Sequence, residues 1–273
     1  MRKAFTHITV PKFSASHLAL AEVCATELWN GFDYQTGKAL PVSDEALLVM
    51  FATPTFAMYA SPRTQQTFTE LDVRDLIRVA RLKALFRSTQ VTDFQGAITA
   101  YRKTALAAYR GWKNKTIKLS NPYDYATRAT LDWSPKFVNN SRVSPNGNHR
   151  VPLACRILFF AMPDMVVFNF SNGLATKMRL QSRPQAALPY FNKYLYEGLH
   201  HNKVLLKNLK MPQSTTLNKE IWHAANKNDW WQRRVLDLAL LLHFGVVAAT
   251  PQLRTKGRQL AATWKGHKQY TYP

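Results

Sequence analysis

Carboxylates that could act as a catalytic acid are few in the basic part of this chain, which holds only eight Asp and Glu after residue 75. Asp93 and Asp229 precede predicted helices and are explained as caps, whereas Asp132, beside Trp133, and Asp124, between two tyrosines, have no such explanation. A two-metal nuclease needs several carboxylates around its ions, so that class is disfavoured. Asp132 and Asp124 are therefore the candidate catalytic residues. The alternative role of each is that of a turn former or an ion-pair partner.

Other patterns that carry chemistry are missing from the sequence. It contains no Walker loop, Rossmann glycine fingerprint, G-x-S-x-G elbow or H-E-x-x-H, which excludes the commonest nucleotide-binding and hydrolase patterns. His200 and His201 are the one adjacent histidine pair, and neighbours on a helix diverge by about 100°, so we expect a solvated edge there. Cys24 and Cys155 lie far apart, which favours neither a disulfide framework nor a zinc site and indicates a reducing compartment. We expect no metal and no cofactor.

The charge of the chain is strongly positive and unevenly distributed. It has 37 Lys and Arg against 16 Asp and Glu, a formal net charge of +21. Residues 1–75 hold 6 basic and 8 acidic residues, while residues 76–273 hold 31 basic and 8 acidic ones. Such a field attracts polyanions, and phosphate contacts release counterions, so nucleic acid is the favoured partner. The alternatives are an acidic protein, an anionic lipid surface, or charge that serves solubility alone.

The cations gather on predicted helix edges and in one loop-rich segment. Arg74, Arg78 and Arg81 are spaced to share one helix face, and a later stripe follows the spacing 3, 4 and 3 from His200 to Lys210. Residues 118–150 are rich in turn formers and carry cations that could insert or stack. The predicted nucleic-acid contacts are Arg74, Arg78, Arg81, Arg110, Lys113, Lys115, Trp133, Lys136, Arg142, Arg150, Lys203, Lys207 and Lys210.

Aromatic residues alternate with cations at residues 109–113, 133–137, 230–234 and 264–265. A tryptophan beside phosphate-binding cations can stack on a base, while core packing is the alternative role for these rings. Trp230 and Trp231 occupy adjacent positions of one predicted helix, so we expect only one of them to face inward.

Apolar periodicity predicts an all-α fold, with one large domain favoured by the length. We expect a near-neutral helical lobe over residues 1–75. A strongly basic lobe follows over residues 76–273, with a loop-rich insert at 118–150 and a basic tail at 252–273. Residues 165–173 are predicted to be extended and to end in a turn at Asn172 and Gly173. Helices are predicted over residues 16–30, 43–53, 69–87, 92–112, 151–162, 189–210, 217–226 and 229–244, the first capped by Ser14 or Ser16.

Two stretches, LACRILFFAMPDMVVFNFSNGLA at residues 153–175 and WWQRRVLDLALLLHFG at residues 230–245, resemble oxoguanine DNA glycosylase-like proteins of the helix-hairpin-helix type. The resemblance covers about a fifth of the chain. It implies a two-lobed helical domain with a basic cleft. The position of the family's catalytic aspartate falls on Phe170, or on Asn169 or Ser171 with a one-residue shift, and no lysine lies between residues 136 and 177. We therefore expect the family's chemistry to be lost or relocated.

Together these patterns predict a nucleic-acid-binding protein, with DNA preferred because of the resemblance, that grips phosphates with a basic face. One alternative is an active glycosylase that flips a modified base into a pocket lined by Trp133 or Phe170, with Asp132 or Asp124 as the acid. Another is a basic subunit of a ribonucleoprotein or phage-defence assembly that contacts protein partners through residues 1–75. No apolar run is long enough to span a membrane and no secretory signal is evident, so we expect a cytoplasmic or nucleoid location.

Overall fold

The structure, a computed structural model, describes residues 10–60, 121, 123–133, 151–180 and 183–264. These residues are mostly helical and contain no strand, apart from a single bridge between Phe32 and Ala39. The predicted all-α class is confirmed. The helices of this part of the chain are α1 (Ala15–Trp29), α2 (Asp44–Ala60), α3 (Asp124–Trp133), α4 (Val151–Ala161), α5 (Asn172–Lys177), α6 (Pro184–His201), α7 (Lys203–Leu206), α8 (Lys219–Lys227), α9 (Trp230–His243) and α10 (Pro251–Ala262).

Side-chain caps define the start of several helices. Ser14 begins α1 by accepting a hydrogen bond from the backbone N–H of His17, and Thr250 begins α10 in the same way. Asp229 precedes α9 as predicted but makes no capping hydrogen bond. Its backbone lies in the left-handed region, at φ 57°, rather than in the extended conformation of a typical capping residue.

Helix α9 lies at the centre of the core and packs against α1, α6 and α8. Both Trp230 and Trp231 are buried, so the expectation that only one of them faces inward was wrong. The reason is that α9 is enclosed on more than one side. Trp230 packs on Phe159 of α4, and the indole of Trp231 points to Glu22 of α1 while both rings also contact Trp29.

Residues 251–262, most of which belong to the predicted basic tail, form a helix. Helix α10 buries Leu253, Gly257 and Ala261, spaced four apart, in a close contact with α1. A Cβ atom added at Gly257 would lie 2.8 Å from Cα of Leu20, so the contact depends on glycine. The cations Arg254, Lys256 and Arg258 stay on the outer side.

The predicted helix over residues 189–210 is divided at Asn202 into α6 and α7, and it begins earlier, at Pro184. Asn202 is buried, and its side chain bonds to the backbone of residues 11–13. Its Oδ1 accepts from the N–H of Phe13 at 2.9 Å, and its Nδ2 donates to the carbonyls of Pro11 and Gly198. The bonds to Pro11 and Phe13 hold residue 202, whose backbone departs from helical geometry at φ −105° and ψ 8°.

The structure differs from the local predictions at three places: the turn at residues 172–173, the loop-rich segment and the end of α2. Residues 166–170 form neither helix nor strand, and the predicted turn at Asn172 and Gly173 is the first turn of α5, because Ser171 caps it by accepting from the N–H of Leu174. The segment predicted as loop-rich contains α3. Helix α2 continues past Pro54, beyond its predicted end at residue 53.

Helices α1 and α2 belong to the part predicted as a near-neutral lobe, yet they share one hydrophobic core with later helices. Helix α1 packs on α9 and α10, and α2 packs on α4. The predicted boundary at residue 75 lies outside the described residues.

Candidate nucleic-acid interface

The outer face of α6 combines aromatic rings with positive charge. The helix buries Leu188, Phe191 and Leu195 on its inner side. The opposite face of the helix carries Tyr190, Lys193, His200 and His201. All four side chains are exposed to solvent, and 44% of the surface of Tyr190 is accessible. With Lys203, Lys207 and Lys210, which are also exposed, these residues are called the α6–α7 surface below.

A row of three rings supports this surface at its edge. Tyr123, at the start of α3, lies 5.4 Å from Tyr196 of α6 between ring centroids. Tyr196 in turn meets His200 edge to face at 4.8 Å. A hydrogen bond of 2.7 Å from Asn192 to Thr127 holds the same two helices together. The row therefore fixes the aromatic part of the surface relative to the core.

The three predicted lysines lie at and after the break in the helix. Lys203 begins α7, Lys207 is the capping residue after its end, and Lys210 follows in an irregular segment. Because the helix is divided, they do not form the continuous helical stripe that the spacing predicts. The backbone N–H of Lys210 donates to Oε1 of buried Glu22 at 2.9 Å, which fixes this segment to α1. Burial raises the pKa of Glu22, and the hydrogen bond from Lys210 partly offsets that effect.

Few acids oppose these cations. Between residues 165 and 218 the chain has seven Lys and Arg and a single acid, Glu197. Glu197 lies 3.9 Å from Lys193 in an exposed ion pair, which contributes little to stability. Lys177, Arg179 and Arg183 extend the positive charge to the start of α6, where all three are exposed.

The other predicted contacts and acids are placed only in part. Trp133 and Asp132 lie in the last turn of α3, and the structure does not describe their side chains. Asp124 begins α3, where its Oδ2 accepts a hydrogen bond from the backbone N–H of Asn121 at 3.1 Å. This bond stabilises the turn that leads into the helix and fits the alternative role of Asp124 as a turn former. Outside the described residues lie Arg74, Arg78, Arg81, Arg110, Lys113, Lys115, Lys136, Arg142 and Arg150.

The aromatic and basic cluster at residues 230–234 is not a surface for stacking, because both of its arginines are buried. Arg233 donates to the carbonyls of Val167 at 2.6 Å and Pro163 at 2.7 Å. Burial lowers its pKa to about 9, an effect that Asp229 and Asp164 oppose. Arg234 is held by carboxylates in the core. These two cations therefore stabilise the fold and cannot contact phosphate.

The cations of α10 form a group separate from the α6–α7 surface. Leu20 and Glu27 of α1 contact α10, whereas Glu22 contacts the segment of Lys210. At 100° per residue, positions 20 and 27 differ by about 20° around α1, while positions 20 and 22 differ by about 160°. The two groups of cations thus lie on nearly opposite sides of α1, and the single basic strip expected from the sequence is divided here.

A groove of about 610 Å³ lies between α1 and the loop that joins α9 to α10. Its walls are mainly aliphatic, with His17, Gln35 and Arg254 as polar members, and no carboxylate lines it. Phe170, expected to line a base pocket, is instead in the core, where its ring packs against Phe191 at 4.8 Å between centroids and an interplanar angle of 54°. Among the described residues, no group of three or more His, Cys, Asp or Glu could hold a metal ion.

No family of known proteins, no curated protein and no solved structure matches this chain. None of the helices in the described ranges is both long and apolar enough to cross a membrane.

The sequence reasoning missed two members of the α6–α7 surface. Tyr190 was not among the predicted contacts, although it is one of three exposed large hydrophobic side chains among the described residues. Lys193 was not assigned to any cationic edge. The near absence of acids between residues 165 and 218 was a signal that could have drawn attention to this region.

Proposed function

We propose that this protein binds nucleic acid and that the α6–α7 surface is one of its contact areas. The observation that carries the proposal is the exposure of Lys193, Lys203, Lys207 and Lys210 in a stretch whose only acid is Glu197. Closely spaced cations without acids attract a phosphate chain and release its counterions. Exposed rings beside them add contacts that a purely electrostatic surface lacks.

Binding measured over a range of salt concentrations tests this proposal. Fluorescence anisotropy with a labelled oligonucleotide should show log affinity falling linearly with log salt, by about 0.7 per neutralised phosphate for a single strand and about 0.9 for duplex DNA. The triple variant K203Q/K207Q/K210Q should bind at least about tenfold more weakly at low salt, with a smaller slope.

A matched control is available on α10. The variant R254Q/K256Q/R258Q makes the same change in net charge on the other side of α1 and should change affinity much less. Equal weakening by both triple variants would show that net charge alone drives binding and would overturn the assignment of this surface. A flat salt response of the unsubstituted protein would overturn nucleic-acid binding itself.

Three expectations from the sequence stay predictions. They are the preference for DNA, the two-lobed glycosylase-like fold and the role in an assembly. Base excision has no support from the groove, which lacks a carboxylate, or from Asp124, which begins a helix. Incubation with duplexes that carry modified bases, followed by alkali, tests it through strand scission. The assembly role is tested by size-exclusion of cell extract, in which elution as a lone monomer would contradict it.

A further inference from the structure

We infer that the α6–α7 surface prefers single-stranded nucleic acid and that Tyr190 stacks on an unpaired base. The inference rests on the proposed function and specifies the class of nucleic acid. It comes from the kinds of side chain on the surface and from their order along α6.

The exposed side chains of α6 include Lys193, which forms an ion pair with Glu197 and could contact either a phosphate or a base edge in a duplex. Cations alone therefore do not distinguish a duplex from a single strand. The outer face of α6 also presents Tyr190, His200 and His201, with exposed Pro189 beside the tyrosine. Flat faces of this kind stack on bases, and stacking requires bases that are not enclosed in a double helix.

The arrangement has cations at both ends of the aromatic part. Arg179 and Arg183 precede α6, and Lys203 and Lys207 follow it. With 18 residues, α6 is about 27 Å long, a distance along which a strand has several phosphates. A strand lying along the helix would place its phosphates near the two cationic ends and its bases over the rings between them.

The supporting contacts make the aromatic part rigid before binding. His200 is held by its edge-to-face contact with Tyr196, which itself packs on Tyr123 of α3. The helix beneath Tyr190 is fixed through Phe191, which is fully buried. A rigid platform loses little conformational freedom when it binds, which favours stacking.

The test compares oligothymidine with a duplex of equal length at the same salt concentration, using the full chain. Tyr190→Leu removes the ring and keeps an apolar side chain, while Tyr190→Phe keeps the ring and serves as the matched control. We expect Tyr190→Leu to weaken binding of oligothymidine by roughly tenfold, Tyr190→Phe to change it less than about twofold, and the duplex affinity to be unaffected. The thermal unfolding midpoint of each variant is measured alongside, so that a loss of folded protein is distinguished from a loss of stacking.

An oligonucleotide with abasic sites in place of thymidines separates stacking from charge. It keeps the phosphates, so Tyr190→Leu and the unsubstituted protein should bind it equally. Equal loss of affinity for the duplex and for oligothymidine, or no loss for either, would overturn the preference for single strands. The salt dependence and the lysine triple variant would still report on the proposed function, so the two proposals can fail separately.

Discussion

Arg234 and Asp44, 190 positions apart in the chain, form an ion pair inside the core. Both Nε and Nη2 of Arg234 lie 2.7 Å from Oδ2 of Asp44, and both side chains are almost fully buried. Arg234 also donates to Oδ2 of Asp237 at 3.3 Å. One cation therefore holds the start of α2 against the middle of α9.

Removal of that cation should strongly destabilise the protein. Arg234→Leu would leave the carboxylates of Asp44 and Asp237 buried without their shared partner, so we expect the free energy of unfolding to fall by about 3–5 kcal/mol. Urea denaturation followed by circular dichroism measures the change. The control is Lys256→Leu, which removes an exposed ion pair with Glu27 and should cost less than about 1 kcal/mol. Similar losses in the two variants would contradict the role of the buried pair.

This network was beyond the reach of sequence reasoning. Arg233 and Arg234 count as cations in any sum of charge, and the alternation of rings and cations at residues 230–234 is typical of a nucleic-acid contact. Their burial depends on α2 and on residues 163–167, which the chain brings together from distant positions. Helices α1, α4 and α9 were predictable, because apolar periodicity and caps such as Ser14 are local signals.

The α6–α7 surface also depends partly on local sequence signals and partly on contacts with distant parts of the chain. The cations and the helical pattern are visible in the sequence, and Lys203, Lys207 and Lys210 were predicted as contacts. The break at Asn202 was not predictable, since it is stabilised by the backbone of residues 11–13. The outward direction of Tyr190 depends on which side of α6 meets the core.

The pH dependence of stability should carry a contribution from Asp237. Burial raises the pKa of this carboxyl to about 6, against an ordinary value of 3.8, although Arg234 and Asn169 act in the opposite direction. The folded state therefore binds more protons than the unfolded state between these two values, and the contribution to stability is lost as the pH rises through them.

Glu22 is also buried with a raised pKa, so it affects the pH dependence of stability in the same way in the unsubstituted protein and in Asp237→Asn. The difference in stability between these two proteins therefore isolates the contribution of Asp237. Between about pH 4 and about pH 7, the difference in unfolding free energy should shift in favour of the variant by up to about 3 kcal/mol. Urea denaturation at several pH values gives that difference. A constant difference over the whole range would contradict a raised pKa of Asp237.

The contact between α10 and α1 should not tolerate a side chain at Gly257. Alanine stabilises a helix interior by about 1 kcal/mol relative to glycine, but here its Cβ would lie 2.8 Å from backbone of Leu20. Backbone cannot move aside cheaply, so we expect Gly257→Ala to lower the free energy of unfolding by about 1–3 kcal/mol. Thr255→Ala, on the exposed side of the same helix, is the control and should be close to neutral. Stabilisation by Gly257→Ala in thermal unfolding would show that the helices are not in close contact.

Asn202 should be essential for joining residues 11–13 to the break between α6 and α7. Asn202→Ala would leave the buried N–H of Phe13 without its acceptor, which should cost about 1–3 kcal/mol of unfolding free energy. The control Asn208→Ala removes a partly exposed bond to the carbonyl of Leu205 and should cost less.

Asn202→Asp makes a sharper test of the same bonds. The carboxylate keeps an acceptor for the N–H of Phe13, but it loses the two N–H donors and brings a negative charge close to the carbonyls of Pro11 and Gly198. Burial and these carbonyls should raise the pKa of the new carboxyl, and protonation restores one donor. Relative to Asn202→Ala, the aspartate variant should therefore gain stability as the pH falls below about 5. A difference between the two variants that does not change with pH would mean that Nδ2 of Asn202 makes no important bond, and the break in the helix would then need another cause.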